Sequence, residues 1–575
     1  MQKYSELLRV LLEKRGIIDE AQALIFLNPD YQRDFCDPFL MKDMEKACVR
    51  LCEAVENKEK IIIYSDYDCD GIPGAVILTD LFRLLNVPVE VYPHTKDFGV
   101  GVYIPQRNSE GYGLNLDVIK QFALSGVKLL IAIDLGITAV DEITQAGVDG
   151  IEVIIMDHHL PRRSFSEGGL ASNDLPRAYA ILNPKTDNYP EKMLCAAGVV
   201  FKFVQGFVHK YSEYFGIKDG NEKWMLDMAG LATLADMVPL LGENRAMVYF
   251  GMKVLKKSSR PGLQKLLSKM KIDQKYLSED DLGFMVTPRL NAASRMDDPM
   301  RAYELLATDD EAEAGVLADH LSKINDERKT IVTSIMREVN KKLETYEHKE
   351  VMVIGNPKWR IGILGLVAGK ICDEYKKPVF VWGKDENDCI RGSCRSDGSV
   401  SVVEIMTETR ESFIDFGGHE LAGGFTVHHE KIHFLEEALS ASFVKIQGHG
   451  KTPSLESDGV RSDLTLNLSE VNMKNWREIE KLAPFGFGNS KPIFLFENVK
   501  IEKIKKFGKN GSGEHLEITF SDSNAKKVKA VSFFSNLESF KALLIEGKKV
   551  DLLATFDLSR FRGREELRLR VENIF

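Results

Sequence analysis

The stretch VIIMDHH at residues 153–159 decides the fold, because an apolar run of strand length ends there on an acid and two histidines. Two similar runs precede it. Residues 61–64 (IIIY) are followed by SDYDCDG at 65–71, and residues 129–133 (LLIAI) are followed by Asp134. Parallel strands are apolar on both faces, and their carboxyl ends meet at one edge of the sheet. The pattern therefore predicts an α/β fold with a mostly parallel sheet and a metal site at that edge.

Composition limits the class of protein before any chemistry is assigned. With 575 residues and 44% hydrophobic content, the chain is too long for one core, and roughly three or four domains are expected. Its eight cysteines form no CxxC pair, which fits reduced thiols in the cytoplasm. No apolar run approaches the ~20 residues that span a bilayer, and the charged N-terminus lacks the apolar core of a signal peptide. We expect a cytoplasmic protein with several domains.

Charge is unevenly distributed along the chain. The net charge is −10, from 76 basic and 86 acidic residues, which argues against a protein that coats nucleic acid with its whole surface. Residues 452–575 contain 21 Lys and Arg against 18 Asp and Glu, or +3, so the first 451 residues contain 55 against 68, or −13. An acidic body that concentrates metal ligands, followed by a mildly basic tail, is compatible with a nuclease.

Hydrophobic periodicity divides the chain into segments. Strand and helix patterns alternate up to about residue 310, and then apolar positions at helical spacing predict a long amphipathic connector helix. A second α/β pattern follows, and the tail of short strands with Lys- and Gly-bearing turns is typical of a small β-barrel. The predicted segments are a helical lead-in at 1–59, an α/β domain at 60–310, the connector at 311–345, a second α/β domain at 346–449, a turn-rich linker at 448–454 and the barrel at 455–575.

The acids and histidines at the strand ends favour particular metals. Carboxylate oxygens with one or two imidazoles suit Mn²⁺ or Mg²⁺ better than Zn²⁺, which prefers tetrahedral sets of Cys and His. Two such ions ~3.5–4 Å apart activate water and clamp the attacking and leaving oxygens of a phosphoryl centre. A turn with Asp66, Asp68 and Asp70 is, by itself, more often a solvated or capping turn. Together with Asp134 and the histidine pair at equivalent strand ends, it indicates one dinuclear metal centre.

Longer motifs around this centre give the chain a family resemblance. They are DYDCDG at 66–71, Asp134, DHH at 157–159, LADMVP at 234–239, YIPQR at 103–107, EGYGL at 110–114, PRLNAASR at 288–295, RGSCRS at 391–396, GGH at 417–419 and LAPFGFGN at 482–489. The first four resemble the DHH phosphoesterase superfamily, and the others resemble its RecJ-type branch, the bacterial exonucleases specific for single-stranded DNA. The resemblance covers nearly the whole chain. It implies a DHH domain at 60–310, a DHH-associated domain at 346–449 and an oligonucleotide-binding (OB) barrel at 455–575.

The resemblance also implies roles for individual residues. It implies six metal ligands, with Asp134 bridging the ions: Asp66, Asp68, Asp70, Asp134, His158 and Asp236. It implies two catalytic residues, since His159 would touch the scissile phosphate or the nucleophile and Asp157 would orient an imidazole. The implied substrate contacts, several of them forked guanidinium groups that match phosphate oxygens, are Arg107, Arg289, Asn291, Arg295, Ser393, Arg395, Gly418 and His419.

The activity implied by the resemblance is hydrolysis of single-stranded DNA from the 5′ end to 5′-mononucleotides, with two Mn²⁺ or Mg²⁺ ions, in DNA repair and recombination. The implied partners of a monomeric enzyme are single-stranded DNA, a single-strand-binding protein and a helicase, without a membrane. The connector helix would hold two lobes around a groove too narrow for duplex. Basic residues interleaved with aromatic ones in the tail would bind the strand.

Two other functions stay open. One is a DHH phosphodiesterase of short oligonucleotides or cyclic dinucleotides, although such an enzyme needs no separate strand-binding tail. The other is a single-strand-binding scaffold with weak catalysis, against which the complete ligand set argues. Several positions depart from the family pattern. Among them, Leu135 stands where a polar residue is common, Ser294 where glycine is frequent and Arg360 where histidine is typical. None of these departures removes a ligand.

Overall fold

A computed structural model describes residues 1–95, 98–165, 171–344, 349–385, 387–448, 462–508, 515–540, 542–561 and 564–575. The chain forms two compact units. The barrel unit consists of Met1–Phe35, Pro239–Tyr249 and Ser457–Phe575, and the two-sheet unit consists of Cys36–Val238 and Phe250–Glu456. The predicted linker at 448–454 lies outside the described residues from residue 449 onward.

The strands and helices follow the predicted alternation. The strands are β1 (Lys60–Ser65), β2 (Val89–Val91), β3 (Gly99–Tyr103), β4 (Val127–Ile133), β5 (Glu152–Met156), β6 (Arg162–Phe165), β7 (Ala171–Asp174), β8 (Ala180–Leu182), β9 (Met352–Gly355), β10 (Val379–Lys384), β11 (Ile390–Arg395), β12 (Phe413–His419), β13 (Ala422–Val427), β14 (Leu464–Thr465), β15 (Phe494–Phe507), β16 (His515–Ser521), β17 (Lys527–Phe533), β18 (Lys549–Phe561) and β19 (Arg564–Ile574). The α-helices are α1 (Glu6–Glu13), α2 (Glu20–Leu27), α3 (Tyr31–Asp34), α4 (Met44–Glu56), α5 (Gly71–Leu84), α6 (Leu116–Leu124), α7 (Val140–Val148), α8 (Ala196–Phe215), α9 (Leu226–Ala235), α10 (Gly242–Leu255), α11 (Pro261–Met270), α12 (Glu279–Asp281), α13 (Thr287–Met296), α14 (Met300–Ala307), α15 (Glu311–Leu343), α16 (Leu364–Tyr375), α17 (Val402–Glu408), α18 (Leu435–Gly448) and α19 (Met473–Glu480). Among the described helices, none combines the length and the apolarity that a membrane crossing requires.

The first sheet of the two-sheet unit is parallel and brings the three motif-bearing strands side by side. Its strand order is β2-β3-β1-β4-β5-β8, and all of these pairings are parallel. Ser65, Ile133 and Met156, the last residues of β1, β4 and β5, are in register. The acids and histidines that follow these strands therefore leave the same edge of the sheet, which confirms the predicted fold class.

Helices cover both faces of this sheet, because its strands present apolar side chains in both directions. On one face, Ile62 and Tyr64 of β1 pack in a core with Phe122 of α6. On the other face, α5 contacts β1 and packs against α8 and α9. A close approach requires glycine at Gly74 of α5, where a Cβ would lie 2.8 Å from the side chain of Ile133. These layers fix the sheet edge from both sides.

The connector helix α15 belongs to two cores. Asp310 caps its N-terminus by accepting hydrogen bonds from the backbone N–H groups of Ala312 and Glu313. The helix packs on α11, α13 and α14, and Val332 and Leu343 in its second half join the core of the second sheet. That sheet has the order β12-β13-β11-β10-β9 and is mixed, since β9 pairs in parallel with β10 and the other pairs are antiparallel. The predicted end of the connector, residue 345, lies outside the described residues.

The barrel unit is a sheet closed on itself. Strands β14 to β19 form one sheet, and an additional pairing of β15 with β18 closes it. Leu8 and Leu11 of α1 are fully buried in the same core as Phe494 and Phe520 of the barrel. Helix α4, by contrast, packs on α8 in the two-sheet unit. The structure therefore divides the lead-in expected at 1–59 between the two units.

Candidate active site

The loop after β1 is fixed by its own carboxylates. Asp68 Oδ1 accepts hydrogen bonds from the backbone N–H groups of Asp70 and Gly71, at 2.8 and 3.2 Å. Asp70 accepts from the first two N–H groups of α8, at 2.7 and 2.8 Å, where the helix dipole favours a negative charge. Gly71 permits a close approach, since a Cβ there would lie 2.5 Å from the carbonyl oxygen of Asp66. The acids of this turn are thereby held at the sheet edge.

Acids and imidazoles from four loops converge at this edge. His158 Nε2 lies 3.4 Å from Asp134 Oδ1 and 3.7 Å from Asp70 Oδ2. His158 Nδ1 lies 3.8 Å from an oxygen of Asp236, the residue that ends α9. Within the described residues, three groups of ligand atoms lie within 4.8 Å of one another: Asp66 with Asp68 and Asp134, Asp70 with His158 and Asp236, and Asp134 with His158 and His159. Because Asp134 and His158 each belong to two groups, neighbouring ion positions would share ligands.

Asp134 is placed to bridge two ions. Its backbone adopts the left-handed conformation, with φ 61°, and its side chain is buried. Its Oδ1 has no hydrogen-bond partner, and the same is true of Asp66 Oδ1, among the residues that the structure describes. A buried carboxylate oxygen without a donor is costly unless a cation or water occupies the position. These oxygens and the hard donor set fit Mn²⁺ or Mg²⁺.

The carboxylates raise one another's pKa. Burial, with the charge of Asp68 added, raises the pKa of Asp70 to about 6. Burial, with the charges of Asp70 and Asp68 added, raises the pKa of Asp236 to about 9. Burial and the charge of Asp70 hold the pKa of Asp134 well above its ordinary range. Bound cations favour the charged carboxylates and lower all three pKa values, so metal binding releases protons.

Asp157 orients the last histidine of the DHH motif. Its Oδ1 lies 2.7 Å from His159 Nδ1, and its Oδ2 accepts a hydrogen bond from the backbone N–H of Ile137 at 3.1 Å. Although burial opposes it, the bond to His159 lowers the pKa of Asp157 to about 2. The same bond, again against burial, raises the pKa of His159. Burial and the charge of His159 instead lower the pKa of His158 to about 3, which keeps His158 neutral and able to ligate a metal.

A cluster of arginines adjoins the ligand groups. The guanidinium of Arg107 lies 5.0 Å from the ring centre of Tyr67, within the first acidic loop. Burial and three neighbouring guanidinium groups lower the pKa of Arg295 to about 9. Those neighbours are Arg107, Arg328 and Arg395. A guanidinium whose pKa is lowered by burial and by neighbouring guanidinium groups marks a concentration of positive charge, which a phosphate would balance. We call these four residues the arginine cluster.

Other predicted substrate residues border this site on the second sheet. Ser393 and Arg395 alternate with buried residues along β11, so they face the same side of the strand. Gly418 has φ 146°, and a Cβ there would lie 2.4 Å from the carbonyl oxygen of Ala422. The ring of the next residue, His419, stacks on His159 with 6.1 Å between the ring centres. The structure thus brings His419 directly to the DHH motif.

Arg289 and Asn291 are placed differently, where α13 meets α15. Arg289 Nη1 donates to the carbonyl oxygen of Met285 at 2.7 Å, and its charged neighbours are Asp326 and Arg328. Arg289 Nε and Asn291 Oδ1 are buried without hydrogen-bond partners within the described ranges. Arg289 is linked electrostatically to the arginine cluster through Arg328.

Three residues at the site are absent from the predicted set. Tyr112 donates its hydroxyl to the backbone oxygen of Asp134 at 3.0 Å and lies 3.3 Å from His159 Nδ1. Its position within the EGYGL motif was a signal that could have identified it. Lys185, whose charge acts on Asp236 and Asp157, follows β8, and Arg328 lies on the connector helix. No local sequence motif identified Lys185 or Arg328 as site residues, because tertiary packing alone brings them to the site.

Family comparisons match this architecture along the chain. The N-terminal domain of the DHH family matches residues 60–235, the DHHA1 domain matches residues 303–445 and the RecJ OB domain matches residues 462–573. A parallel sheet that carries the DHH motif at its edge, followed by the DHHA1 domain, defines the chain as a DHH-family protein.

Comparison with individual proteins identifies the branch of the DHH family to which the chain belongs. Over 567 residues the chain is 30% identical to the single-stranded-DNA-specific exonuclease RecJ of Bacillus subtilis (strain 168), in a match that covers 98% of this chain and 67% of the relative. The chain belongs to the RecJ family. Its fold resembles that of RecJ in complex with Mn²⁺ from Thermus thermophilus, with a TM-score of 0.76 and 23% identity over 99% of this chain and 76% of that one. A crystal structure of exonuclease RecJ bound to manganese matches with a TM-score of 0.60 and 27% identity, over 72% of this chain and 97% of that one.

Proposed function

We propose that this protein is a Mn²⁺- or Mg²⁺-dependent exonuclease that hydrolyses single-stranded DNA from its 5′ end to 5′-mononucleotides, in DNA repair and recombination. The observation that carries the proposal is the meeting of a metal-ligand set with a cluster of arginines. Burial raises the pKa of Asp66 and lowers that of Arg295, and each shift is opposed by a charge from the other group, that of Arg107 on Asp66 and that of Asp68 on Arg295. Cations and carboxylates therefore lie within electrostatic reach of each other. A phosphodiester next to bound metals would also be next to guanidinium donors.

The metal centre would be held by six residues: Asp66, Asp68, Asp70, Asp134, His158 and Asp236. When bound, two ions would activate water and stabilise the charge that develops on the phosphoryl oxygens. His159, whose pKa is raised by its bond to Asp157 despite burial, would donate a hydrogen bond to the scissile phosphate. The hydroxyl of Tyr112, which donates a hydrogen bond to the backbone oxygen of Asp134, would help to hold this ligand in place.

The arginine cluster would bind the 5′-terminal phosphate. Forked guanidinium groups match phosphate oxygens in two parallel hydrogen bonds, and Ser393 adds a hydroxyl on the same side of β11 as Arg395. A terminal phosphate on this cluster, beside the metal ligands, would put the scissile bond at the first nucleotide. This geometry favours release of mononucleotides and discriminates against an end without phosphate.

The barrel would bind the strand through exposed aromatic rings and cations. The ring of His515 lies 5.2 Å from that of Phe507 and 4.9 Å from that of Phe534, measured between centres, and Phe534 is 85% exposed. The guanidinium groups of Arg568 and Arg570 lie close to the Phe533 ring, at 5.9 and 5.8 Å from its centre. Stacking of bases on such rings, with neutralisation of phosphates nearby, is how single strands are bound without sequence preference.

The cellular compartment, the oligomeric state and the partners are part of the same proposal. The eight cysteines are free thiols, which supports a reducing cytoplasm. We propose a monomer that acts with a single-strand-binding protein and a helicase, since an exonuclease specific for single strands needs duplex to be opened before it. These partners follow from family resemblance.

The proposal is tested with long single strands labelled at the 5′ end, the matching duplex and a linear dinucleotide, each incubated with Mn²⁺ or with EDTA. We expect labelled mononucleotide from the single strand, far less from the duplex, and none with EDTA. Rapid cleavage of the dinucleotide alone would instead indicate a phosphodiesterase of short oligonucleotides. Strand binding without hydrolysis in any metal would indicate a scaffold.

A further inference from the structure

A cavity of about 580 Å³ adjoins the arginine cluster in the two-sheet unit, within the size range of pockets that hold small ligands. Arg295 lines this cavity and also belongs to the arginine cluster, so the two are continuous. Three further cations line it, Arg360, Lys384 and Arg391, and Asp385 is the one acid among its described lining residues. Four positive charges and one negative charge give the described lining residues a charge of +3.

Part of this positive charge is not balanced by carboxylates among the described residues. Arg391 Nε lies 3.0 Å from Asp385, and Lys384 forms an ion pair with Asp388 at 2.7 Å. Arg295 donates to a neutral carbonyl oxygen. Neither Arg295 nor Arg360 has a carboxylate within ion-pair distance among the residues that the structure describes. A half-buried guanidinium, that of Arg295, and an exposed one, that of Arg360, therefore line the cavity and could bind an anion.

The remaining wall suits phosphate oxygens better than a nucleobase. Gln106, Asn108 and Ser109 contribute amide and hydroxyl groups, whereas Met296 and Ile361 are the apolar residues of the described lining. No aromatic ring is present in that lining. A base would lose its water without gaining a stacking partner, while phosphate oxygens would gain hydrogen-bond donors on several sides.

Strand β11 leads from the arginine cluster to the cavity. Arg391, Ser393 and Arg395 alternate with buried residues, so they share one side of the strand and successive members lie about 6.8 Å apart. Arg395 belongs to the arginine cluster, and Arg391 lines the cavity. An anionic chain that begins at Arg395 and continues along this side of the strand passes Ser393 and then reaches Arg391.

We propose that this cavity binds the second and third phosphates of a strand whose 5′ end carries a diphosphate or triphosphate. The inference rests on the proposed function, because that function puts the first 5′ phosphate on the arginine cluster. The additional phosphates then pass Arg295 and lie between Arg360 and the polar side chains of Asn108 and Ser109. The enzyme would accept polyphosphorylated 5′ ends without prior removal of the extra phosphates, and the first nucleotide would leave as a nucleoside polyphosphate.

The test uses one single-stranded oligonucleotide prepared with a 5′-hydroxyl, a 5′-monophosphate or a 5′-triphosphate. For each end, kcat/KM is measured with the full chain and Mn²⁺, and the first product is identified by mass. We expect the unmodified protein to use the triphosphate within about threefold of the monophosphate and to release a nucleoside triphosphate. Arg360→Glu should lower the ratio of triphosphate to monophosphate kcat/KM by ~5-fold or more, because a cation facing the ligand becomes an anion.

Two more variants separate the cavity from a general change of surface charge. Asn108→Asp puts a negative charge on another part of the wall and should lower the same ratio. Lys358→Glu makes the same charge reversal as Arg360→Glu on an exposed residue of the same loop, outside the cavity lining, and should leave the ratio unchanged.

The outcomes distinguish this inference from the proposed function. Cleavage of the monophosphate strand with rejection of the triphosphate strand by the unmodified protein overturns the inference and leaves the exonuclease intact. Equal losses on both ends in Arg360→Glu and Asn108→Asp also overturn it. Failure to cleave any of the three strands contradicts the proposed function itself.

Discussion

Asp157 Oδ1 lies 2.7 Å from His159 Nδ1, so the first residue of the DHH motif holds the third in one orientation. Against the effect of burial, this bond raises the pKa of His159 and favours the protonated ring. The other oxygen of Asp157 is tied to the backbone N–H of Ile137, which prevents the carboxylate from turning away. The imidazole is thereby presented toward Asp134, whose Oδ1 lies 3.7 Å from the same nitrogen.

Asp157→Asn should lower kcat by ~10–100-fold, the usual effect of removing a group that orients a histidine at a metal site. Asn preserves the shape but not the charge, so the pKa of His159 should fall. Activity that depends on protonated His159 is lost as pH rises through that pKa, and in the variant this loss should begin at lower pH. The measurement is kcat as a function of pH in metal-saturated protein.

A matched control for this change is Asp117→Asn, which alters an exposed aspartate at the start of α6, with 87% of its side chain accessible. This variant should show the same dependence of kcat on pH as the unmodified protein. An Asp157→Asn variant with reduced kcat and an unshifted profile would show that Asp157 supports the fold without tuning His159.

The metal-free protein should lose stability as pH rises. Burial, with neighbouring acids, raises the pKa of Asp70 to about 6 and that of Asp236 to about 9, whereas an unfolded aspartate titrates near ~3.9. Between these values the folded state binds more protons than the unfolded state, so the free energy of unfolding decreases with increasing pH. The stabilisation is complete below ~4 and is lost by about pH 9. Thermal unfolding in EDTA between about pH 5 and 9 measures this, and Mn²⁺ should raise Tm more at about pH 8 than at about pH 6 because it binds the charged carboxylates.

Asp134→Asn should separate stability from metal binding. It removes one charge from a buried group of mutually repelling acids, so the metal-free variant should unfold at the same or a higher temperature than the unmodified protein. It also removes the proposed bridging ligand, so the rise in Tm on adding Mn²⁺ should shrink and hydrolysis should nearly vanish. Normal turnover in metal-saturated Asp134→Asn would contradict the bridging role.

Much of the metal site could be predicted from the sequence, because its ligands follow parallel strands and their proximity does not depend on the order of those strands in the sheet. Asp66, Asp134 and His158 each follow an apolar run, and parallel strands end at a common edge whatever their order. The role of Lys185 and Arg328 could not be predicted in this way, since their distance from the site depends on how α15 and the segment after β8 pack. The barrel core shows the same limit. The spacing of Leu8 and Leu11 predicts a helix, but it contains no information on which core buries that helix.

Arg395→Ala should reduce kcat/KM for strands with a 5′-phosphate by ~10-fold or more, the effect of losing a hydrogen bond to a charged group. Strands with a 5′-hydroxyl should lose less, because they have no terminal phosphate for Arg395 to bind. Arg337→Ala, which changes an exposed arginine on α15, is the matched control and should alter neither substrate. Equal losses on both ends in Arg395→Ala would assign this residue to the structure of β11 rather than to the phosphate.

Exposed rings and cations on the barrel should contribute to strand binding in distinguishable ways. Phe534 is 85% exposed beside His515, and loss of a stacked base is worth ~1–3 kcal/mol, so Phe534→Ala should weaken the affinity for a long single strand by ~5–100-fold. The variant removes no charge, and the slope of log Kd against log salt should stay unchanged. Lys506→Ala, at an exposed position of β15, should weaken binding less and flatten that slope by ~0.7, the value for one phosphate contact on a single strand.

The measurement for the barrel is Kd across a salt series by fluorescence anisotropy in EDTA, so that the strand is not degraded. Leu543→Ala is the control, because it truncates another exposed apolar residue of the barrel unit, 68% accessible, that is neither aromatic nor charged. It should bind as the unmodified protein does. If Phe534→Ala and Lys506→Ala also bind unchanged at every salt concentration, neither residue contacts the strand, and recruitment of a protein partner becomes the better explanation of the barrel.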